Sequence, residues 1–360
     1  MNNLTRFTLV FAVWVLNLSP VHAAFNYFYV FGDGACTTTS NVSGLSYYYG
    51  KRYSNGRVWV EVLTQRQGLT YDPNKNWSYF GQTSAALVTN VSHFTPPSDA
   101  SNALFAVWAC DADFVFDLSS NVYTLAFWTN KVNLHLTNHL RAITNLYAKG
   151  VRNLIAPNAV DLTKIPQYNG LVLNYPSNAA FARLQISNFN AAYVALLNQI
   201  QASRPDLTIW IPDIFSLLDD VEAHASKYGL TNALDTSGEV TDAVEQGLTA
   251  TNGVGTNYIW WDYDDPTAKF HEVIADTIQA LISPSQIGSL EPETGGNELN
   301  LINLPVGLSG FVDGKTDLLS TNWVSAQGFN STNLTQTIFV PATNSQQFYR
   351  LRFPYAWSWP

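Results

Sequence analysis

Charge is scarce in this sequence. Only 12% of the 360 residues are Asp, Glu, Lys or Arg, and the balance is acidic, 27 against 18. No run of Lys or Arg occurs, so the phosphate contacts that hold nucleic acid have no source and no nucleic-acid partner is expected. Cysteine is nearly absent: Cys36 and Cys110 are the only two. That excludes a disulfide-framed miniature fold and leaves at most one bridge. After residue 23 no apolar run is long enough to span a membrane.

The first 23 residues differ from the rest. Arg6 is their only charge, residues 7–16 form an apolar run, and Val21-His22-Ala23 resembles a small-residue cleavage site. This reads as a secretory signal peptide, too short and wrongly flanked for a span. Its removal takes Arg6 with it and moves the net charge from −9 to −10. The mature chain is expected to be secreted or periplasmic. What it has in abundance is aromatic residues, at 14%, together with Asn, Ser and Thr. Such a surface stays soluble through amides and hydroxyls and suits contact with sugars.

Periodicity divides the remainder into residues 24–283 and 284–360. In the first part strand-like runs alternate with helical stripes. Residues 103–109 are a short apolar strand; Leu136, Leu140, Ile143, Leu146 and Tyr147 fall at helical spacing before Gly150; residues 151–156 read as a strand. A second stripe, Phe189, Tyr193, Leu196, Leu197 and Ile200, precedes a strand at 207–211. A last strand is expected at 258–261, before a helix with Phe270, Val273, Ile274, Ile278 and Leu281 on one face. Repeated strand–helix–strand units predict an α/β fold, a parallel sheet between two helical layers. Beyond residue 284 only short strands are expected, at 298–304, 310–315, 323–329, 335–340 and 347–353. They form a small antiparallel β module without a titratable cluster, suited to surface or polysaccharide attachment.

The first strand ends abruptly on Phe31-Gly32-Asp33-Gly34. In parallel α/β sheets ligands bind outside the carboxyl ends of the strands. Three later stretches suit the same crevice: Asn76-Trp77-Ser78-Tyr79-Phe80-Gly81, Trp108-Ala109-Cys110-Asp111-Ala112-Asp113-Phe114, and Trp261-Asp262-Tyr263-Asp264-Asp265-Pro266-Thr267. In order and local sequence these four blocks resemble those of the GDSL, or SGNH, family of secreted ester hydrolases, and the resemblance covers nearly all of residues 25–282. It implies an SGNH-type three-layer α/β/α domain acting on acyl or carbohydrate esters without a cofactor. It also assigns places. The nucleophile belongs at Gly34, the triad acid at Asp262, the histidine at Asp265, and the oxyanion donors at Gly34, Gly81 and Ala112.

The residues in those places depart from the family pattern. Gly34 has no hydroxyl to attack an ester. Asp265 is a weaker base at neutral pH than the imidazole it replaces. Ala112 lacks the amide that the family uses as a donor, and Cys110 replaces a glycine. Only Gly81 and Asp262 remain as the pattern asks, so an orthodox serine mechanism is excluded. The chain is therefore expected to be inactive or catalytically divergent, or to be a non-catalytic binding protein for a carbohydrate or acyl ligand.

Several readings of the remaining residues stay open. Asp265 before Pro266 suits the N-cap of the following helix. Asp33 and Asp113 suit turns and hydrogen-bond networks, and His271 a packed helix position. Cys36 or Thr37 offers a displaced nucleophile. Asp33, Asp111, Asp113, Asp262, Asp264 and Asp265 together offer oxygens for a hard cation such as calcium. His135 and His139, four apart on a helix, lack a third metal ligand at matching spacing. Cys36 and Cys110 are either a disulfide or two buried thiols.

Overall fold

A computed structural model describes residues 25–341 and 347–354. The expected signal segment, residues 1–23, lies outside them. The chain runs through β1 (Phe28–Gly32), α1 (Trp59–Arg66), α2 (Ser84–His93), β2 (Leu104–Trp108), α3 (Cys110–Ser119), α4 (Leu125–Ala148) and β3 (Asn153–Ile155). It continues with α5 (Asn169–Asn174), α6 (Pro176–Ala202), β4 (Thr208–Trp210), α7 (Ile214–Ala223) and α8 (Ala268–Ile282). Strands β5 (Gln286–Glu293), β6 (Gly296–Ile302), β7 (Ser309–Lys315), β8 (Val324–Asn330), β9 (Thr335–Pro341) and β10 (Phe348–Arg352) complete it.

The four strands β1 to β4 form one parallel sheet in sequence order, with Phe28 opposite Leu104 and Leu104 opposite Asn153. Every residue of β2 is buried. A strand buried on both faces needs helices on both: α1 packs with α8, and α2, α4 and α6 pack in a row. Threonine side chains start three of these helices, α2, α4 and α8. Thr83, Thr124 and Thr267 accept the N–H groups of Ala86, Phe127 and Phe270, each worth about 1 kcal/mol.

The strand expected at 258–261 does not form. Among the described residues this stretch makes only isolated bridges, Thr231 with Tyr258 and Trp260 with Pro266. The chain folds back on itself there, Trp261 N donating to Asp265 O at 2.8 Å, so its backbone groups are used inside a loop. Helix α8 also begins later than Asp265-Pro266 suggests. Thr267 is its N-cap, and Asp265 sits two residues upstream.

Beyond α8 two three-stranded antiparallel sheets, β5-β6-β9 and β10-β7-β8, enclose a separate small core of Leu299, Leu301, Val312, Val340 and Leu351. The α/β part holds them through Arg66. Its backbone oxygen accepts Val306 N at 3.1 Å, and its guanidinium donates to Val306 O at 3.2 Å and to buried Asp276 at 2.6 Å.

Candidate functional site

Backbone geometry brings the four blocks together at the carboxyl end of the sheet. Strand β1 stops at Gly32, where a Cβ would lie 2.7 Å from the backbone oxygen of Trp108, so only glycine fits. The chain then turns through a short 3₁₀ segment, Gly34–Cys36. Residues 76–79 run beside β1, Trp77 N donating to Val30 O at 2.8 Å and Tyr79 N to Gly32 O at 3.2 Å. This track delivers Phe80 and Gly81 opposite Gly34. Gly81 has φ +73°, a left-handed conformation that glycine adopts without strain. Asp111 and Ala112 follow β2 in the first turn of α3.

The fourth block is held by Asp262. Its Oδ1 accepts the backbone N–H of Asp264 at 3.2 Å and of Asp265 at 2.9 Å, and its Oδ2 accepts the Tyr48 hydroxyl at 2.6 Å. The loop so fixed turns Asp265 toward the first block: a Cβ at Gly34 would stand 3.6 Å from Asp265 Oδ1 and 3.1 Å from the half-exposed Phe80 ring. Gly34 and Asp265 thus face each other across an unfilled space.

That space opens into a cavity of about 230 Å³. Its polar end consists of Asp33, Asp111, Asp264 and Asp265 with Gly34 and Gly81. The rest of its wall is apolar: Trp108 and Val160 from the strand ends, Ile214 from α7, Phe270 and Ile274 from α8, and Phe80 at the mouth. Neither Gly34 N nor Gly81 N has an acceptor among the described residues.

The carboxyls are crowded and lack cationic partners. Oxygens of Asp262, Asp264 and Asp265 lie within 4.8 Å of one another. No Lys, Arg or His pairs with Asp33, Asp111, Asp262, Asp264 or Asp265 among the described residues. Burial, reinforced by the charges of Asp264 and Asp262, lifts the Asp265 carboxyl well above its usual range. Asp264 is pushed up to about 7 by burial and by the charge of Asp262. Asp33 is also raised to about 7 by burial, against the pull of the Ala112 N–H. Its Oδ2 accepts that N–H at 3.3 Å, while its Oδ1 has no partner among the described residues. Burial and then Asp33 raise Asp111, whose Oδ1 accepts Val160 N at 2.9 Å. With so many carboxyls at one end of an apolar cavity, the cluster retains protons near neutrality. Its oxygens are also the groups through which a hard cation would bind.

Not every residue assigned to the crevice from sequence lies there. Cys36 is fully buried behind Gly32 with Sγ directed at Trp108 O, 3.9 Å away, and burial suppresses its thiolate. Thr37 is buried, and its hydroxyl accepts Thr39 N. Neither lines the cavity, so neither is placed to act on a ligand bound there. Cys36 and Cys110 are both free and buried rather than paired. Asp113 turns away to accept Ser84 N at 3.0 Å, and its other oxygen lies 3.3 Å from His135. His135 also meets Asp117 at 2.8 Å, and His139 contacts the backbone oxygen of His135. These groups tie α3, α2 and α4 together. His271 is buried on α8 with neither ring nitrogen partnered among the described residues, and burial lowers its pKa to about 3, so it stays neutral.

Most of the apolar wall, Val160, Ile214, Phe270 and Ile274 among it, lies outside the four blocks, while Phe80 and Trp108 belong to them. Val160 and Ile214 follow β3 and β4, and the rule that ligands sit beyond strand carboxyl ends is the signal that finds both. Tyr48 comes from a loop of three consecutive tyrosines with no distinguishing signal.

No family model matches the chain, and no curated protein matches it. Among solved structures it is similar to a lipase from a goat rumen metagenome, at 10% identity with a TM-score of 0.43 over 71% of this chain and 97% of that one. It is also similar to an alpha/beta hydrolase enzyme from the metagenome of Lake Arreo, Spain, at 11% identity with a TM-score of 0.42 over 74% of this chain and 99% of that one. These likenesses are loose. The α/β assignment rests on the strand order and register of β1 to β4.

Proposed function

We propose that this chain binds a ligand carrying an acyl or comparable apolar chain in the crevice beyond β1 to β4, without forming an acyl-serine. The observation that carries the reading is the cavity itself: apolar along its length, polar only where Gly34, Gly81 and the carboxyls meet. Burying a hydrocarbon chain there gains about 0.8 kcal/mol per methylene. A sugar needs hydrogen-bond partners on every side, and this wall offers few, so the acyl reading is preferred to the carbohydrate one. Kinship with the SGNH hydrolases is part of the same proposal, supported by the order of the four blocks. Export rests on residues 1–23. Attachment through the β module rests on its sequence character alone.

Two measurements test the reading together. Binding of n-alkyl alcohols is followed by fluorescence, since Trp108 and Trp260 line the cavity. Fluorophosphonate labelling and turnover of p-nitrophenyl esters compare the parent with the triple variant Gly34→Ser, Ala112→Asn, Asp265→His. Saturable alcohol binding, an unlabelled parent and a labelled, active variant are expected. A parent that is labelled, or that shows no alcohol binding, overturns the reading.

A further inference from the structure

A second cavity, of about 440 Å³, borders the same loop. Asp262 and Tyr263 line it, whereas Asp264 and Asp265 line the first, and the two cavities share no lining residue. Three tyrosines wall it, each fixed by its surroundings. The Tyr48 hydroxyl donates to Asp262 Oδ2 at 2.6 Å, the Tyr47 ring packs on that of Tyr48 with centroids 4.6 Å apart, and Tyr263 O accepts Gln167 N at 2.8 Å. Most of the other polar residues in the wall are acidic. Asp235, Glu239, Asp242 and Glu245 come from one stretch of chain, which Ala243 N and Val244 N tie to Trp260 O and Trp261 O at 3.2 and 3.0 Å. No Lys, Arg or His pairs with any of these four among the described residues.

Acidic rims are common on protein surfaces, and Asp242 sets this one apart. It is 3% exposed and still lines the cavity. Its Oδ1 accepts Glu245 N at 2.7 Å. Its Oδ2 accepts no hydrogen bond among the described residues, the nearby Val244 N–H being given to Trp261 O. Burial lifts its pKa to about 6, which leaves it ionised at neutral pH. A buried carboxylate without a cation is costly, and a positively charged ligand removes that cost.

A metal ion does not fit this geometry. A hard cation gathers several oxygens around one centre, and among the described residues only Asp262, Asp264 and Asp265 bring three such groups within 4.8 Å of one another. The four carboxyls of the second cavity form no such set. Spread carboxylates beside several aromatic rings suit instead a bulky, weakly hydrated cation, which the rings attract and which requires no hydrogen bond. We propose that this cavity binds a small quaternary ammonium group, with Asp242 as its buried counter-ion and Tyr47, Tyr48 and Tyr263 as the surrounding rings. The site is separate from the acyl cavity and is filled independently of it.

Titration calorimetry of the protein with choline chloride tests this. The competitors, at matched ionic strength, are 3,3-dimethyl-1-butanol, with the shape but no charge, ethanolamine, with the charge but no methyl groups, and calcium chloride. Saturable binding of one choline is expected, and each competitor should displace it at least about tenfold less well than choline itself. Hexanol should leave choline affinity unchanged. Asp242→Asn keeps an oxygen for Glu245 N and removes only the charge, and should lower choline affinity by about tenfold. Tyr263→Ala removes a half-exposed ring but not the backbone oxygen that holds the loop, and should lower it by about fivefold. Urea unfolding confirms that each variant is folded. Absence of saturable choline binding overturns the proposal, as does tighter binding of calcium or ethanolamine. Displacement of choline by hexanol, or an affinity unchanged in both variants, overturns it as well. The acyl reading is decided separately, by whether hexanol binds.

Discussion

Replacing Asp33 by asparagine isolates the cost of one buried carboxyl. Asp33 is 4% exposed, and burial raises its pKa from the ordinary 3.8 to about 7. The native state therefore holds a proton that the unfolded chain releases near pH 4. Between those values folding binds a proton, so stability falls as pH rises, by about 1.4 kcal/mol per pH unit, and levels off above pH 7. The full difference is on the order of 4 kcal/mol, reduced where Asp111 and Asp113 relax in response. The asparagine amide keeps an oxygen for the Ala112 N–H, which now lies 3.3 Å from Asp33 Oδ2, and cannot ionise. Urea denaturation of parent and Asp33→Asn at pH 4.5, 6 and 8 should show near-equal stability at the lowest pH. At pH 8 the variant should be the more stable by roughly 2–4 kcal/mol. An equal difference at pH 4.5 and 8, or a variant less stable than the parent at pH 8, would refute the claim that Asp33 is held protonated by burial.

The apolar wall predicts that alcohol affinity rises about fourfold per added methylene until the cavity is full, then stops, as titration calorimetry of the series would reveal. Ala112→Leu, extending a side chain into that cavity, should shorten the longest alcohol that still gains affinity. Arg66→Ala leaves the 2%-exposed Asp276 side chain without its cation and should cost about 3–5 kcal/mol in urea unfolding; a cost below about 1 kcal/mol would contradict the buried pair. Cys36 and Cys110, both buried with suppressed thiolates, should resist a thiol-specific disulfide reagent in the native protein and both react once it is unfolded. Rapid native reaction would show that one of them reaches solvent.

The α/β layering is legible in the sequence because it is written in period. The stripe Phe189, Tyr193, Leu197, Ile200 is buried on α6, and the all-apolar run of β2 is buried on both faces. The acidic end of the crevice is legible because strand-end turns must lie there. What local pattern does not encode is competition between neighbours. Residues 258–261 look like a strand, but their hydrogen bonds go to Thr231, to Ala243 and Val244, and to the loop that holds Asp265. Strand β5 escapes the pattern since Gly288 and Pro292 punctuate it, although pairing with β6 accommodates Gly288 at a register shift between Ile287 and Ser289 and keeps Pro292 in register opposite Asn297. Asp-Pro at 265–266 suits a helix cap, but the Thr267 hydroxyl takes the cap, and Asp265 turns into the cavity instead. Where Cys36 points depends on the approach of Trp108, 72 positions away in the chain, which no local signal carries.

Asp262 has a place in this fold whatever happens chemically beside it. Its carboxylate ties the N–H groups of residues 264 and 265 and a tyrosine hydroxyl, bonds that are indifferent to the side chain at 265. The loop would hold the same path with histidine, asparagine or aspartate there. Identity at position 265 can therefore change without the backbone having to follow, and the acid at 262 meets a need of folding whatever takes place beside it. A scaffold with that independence can pass between catalyst and receptor by exchanging a few side chains.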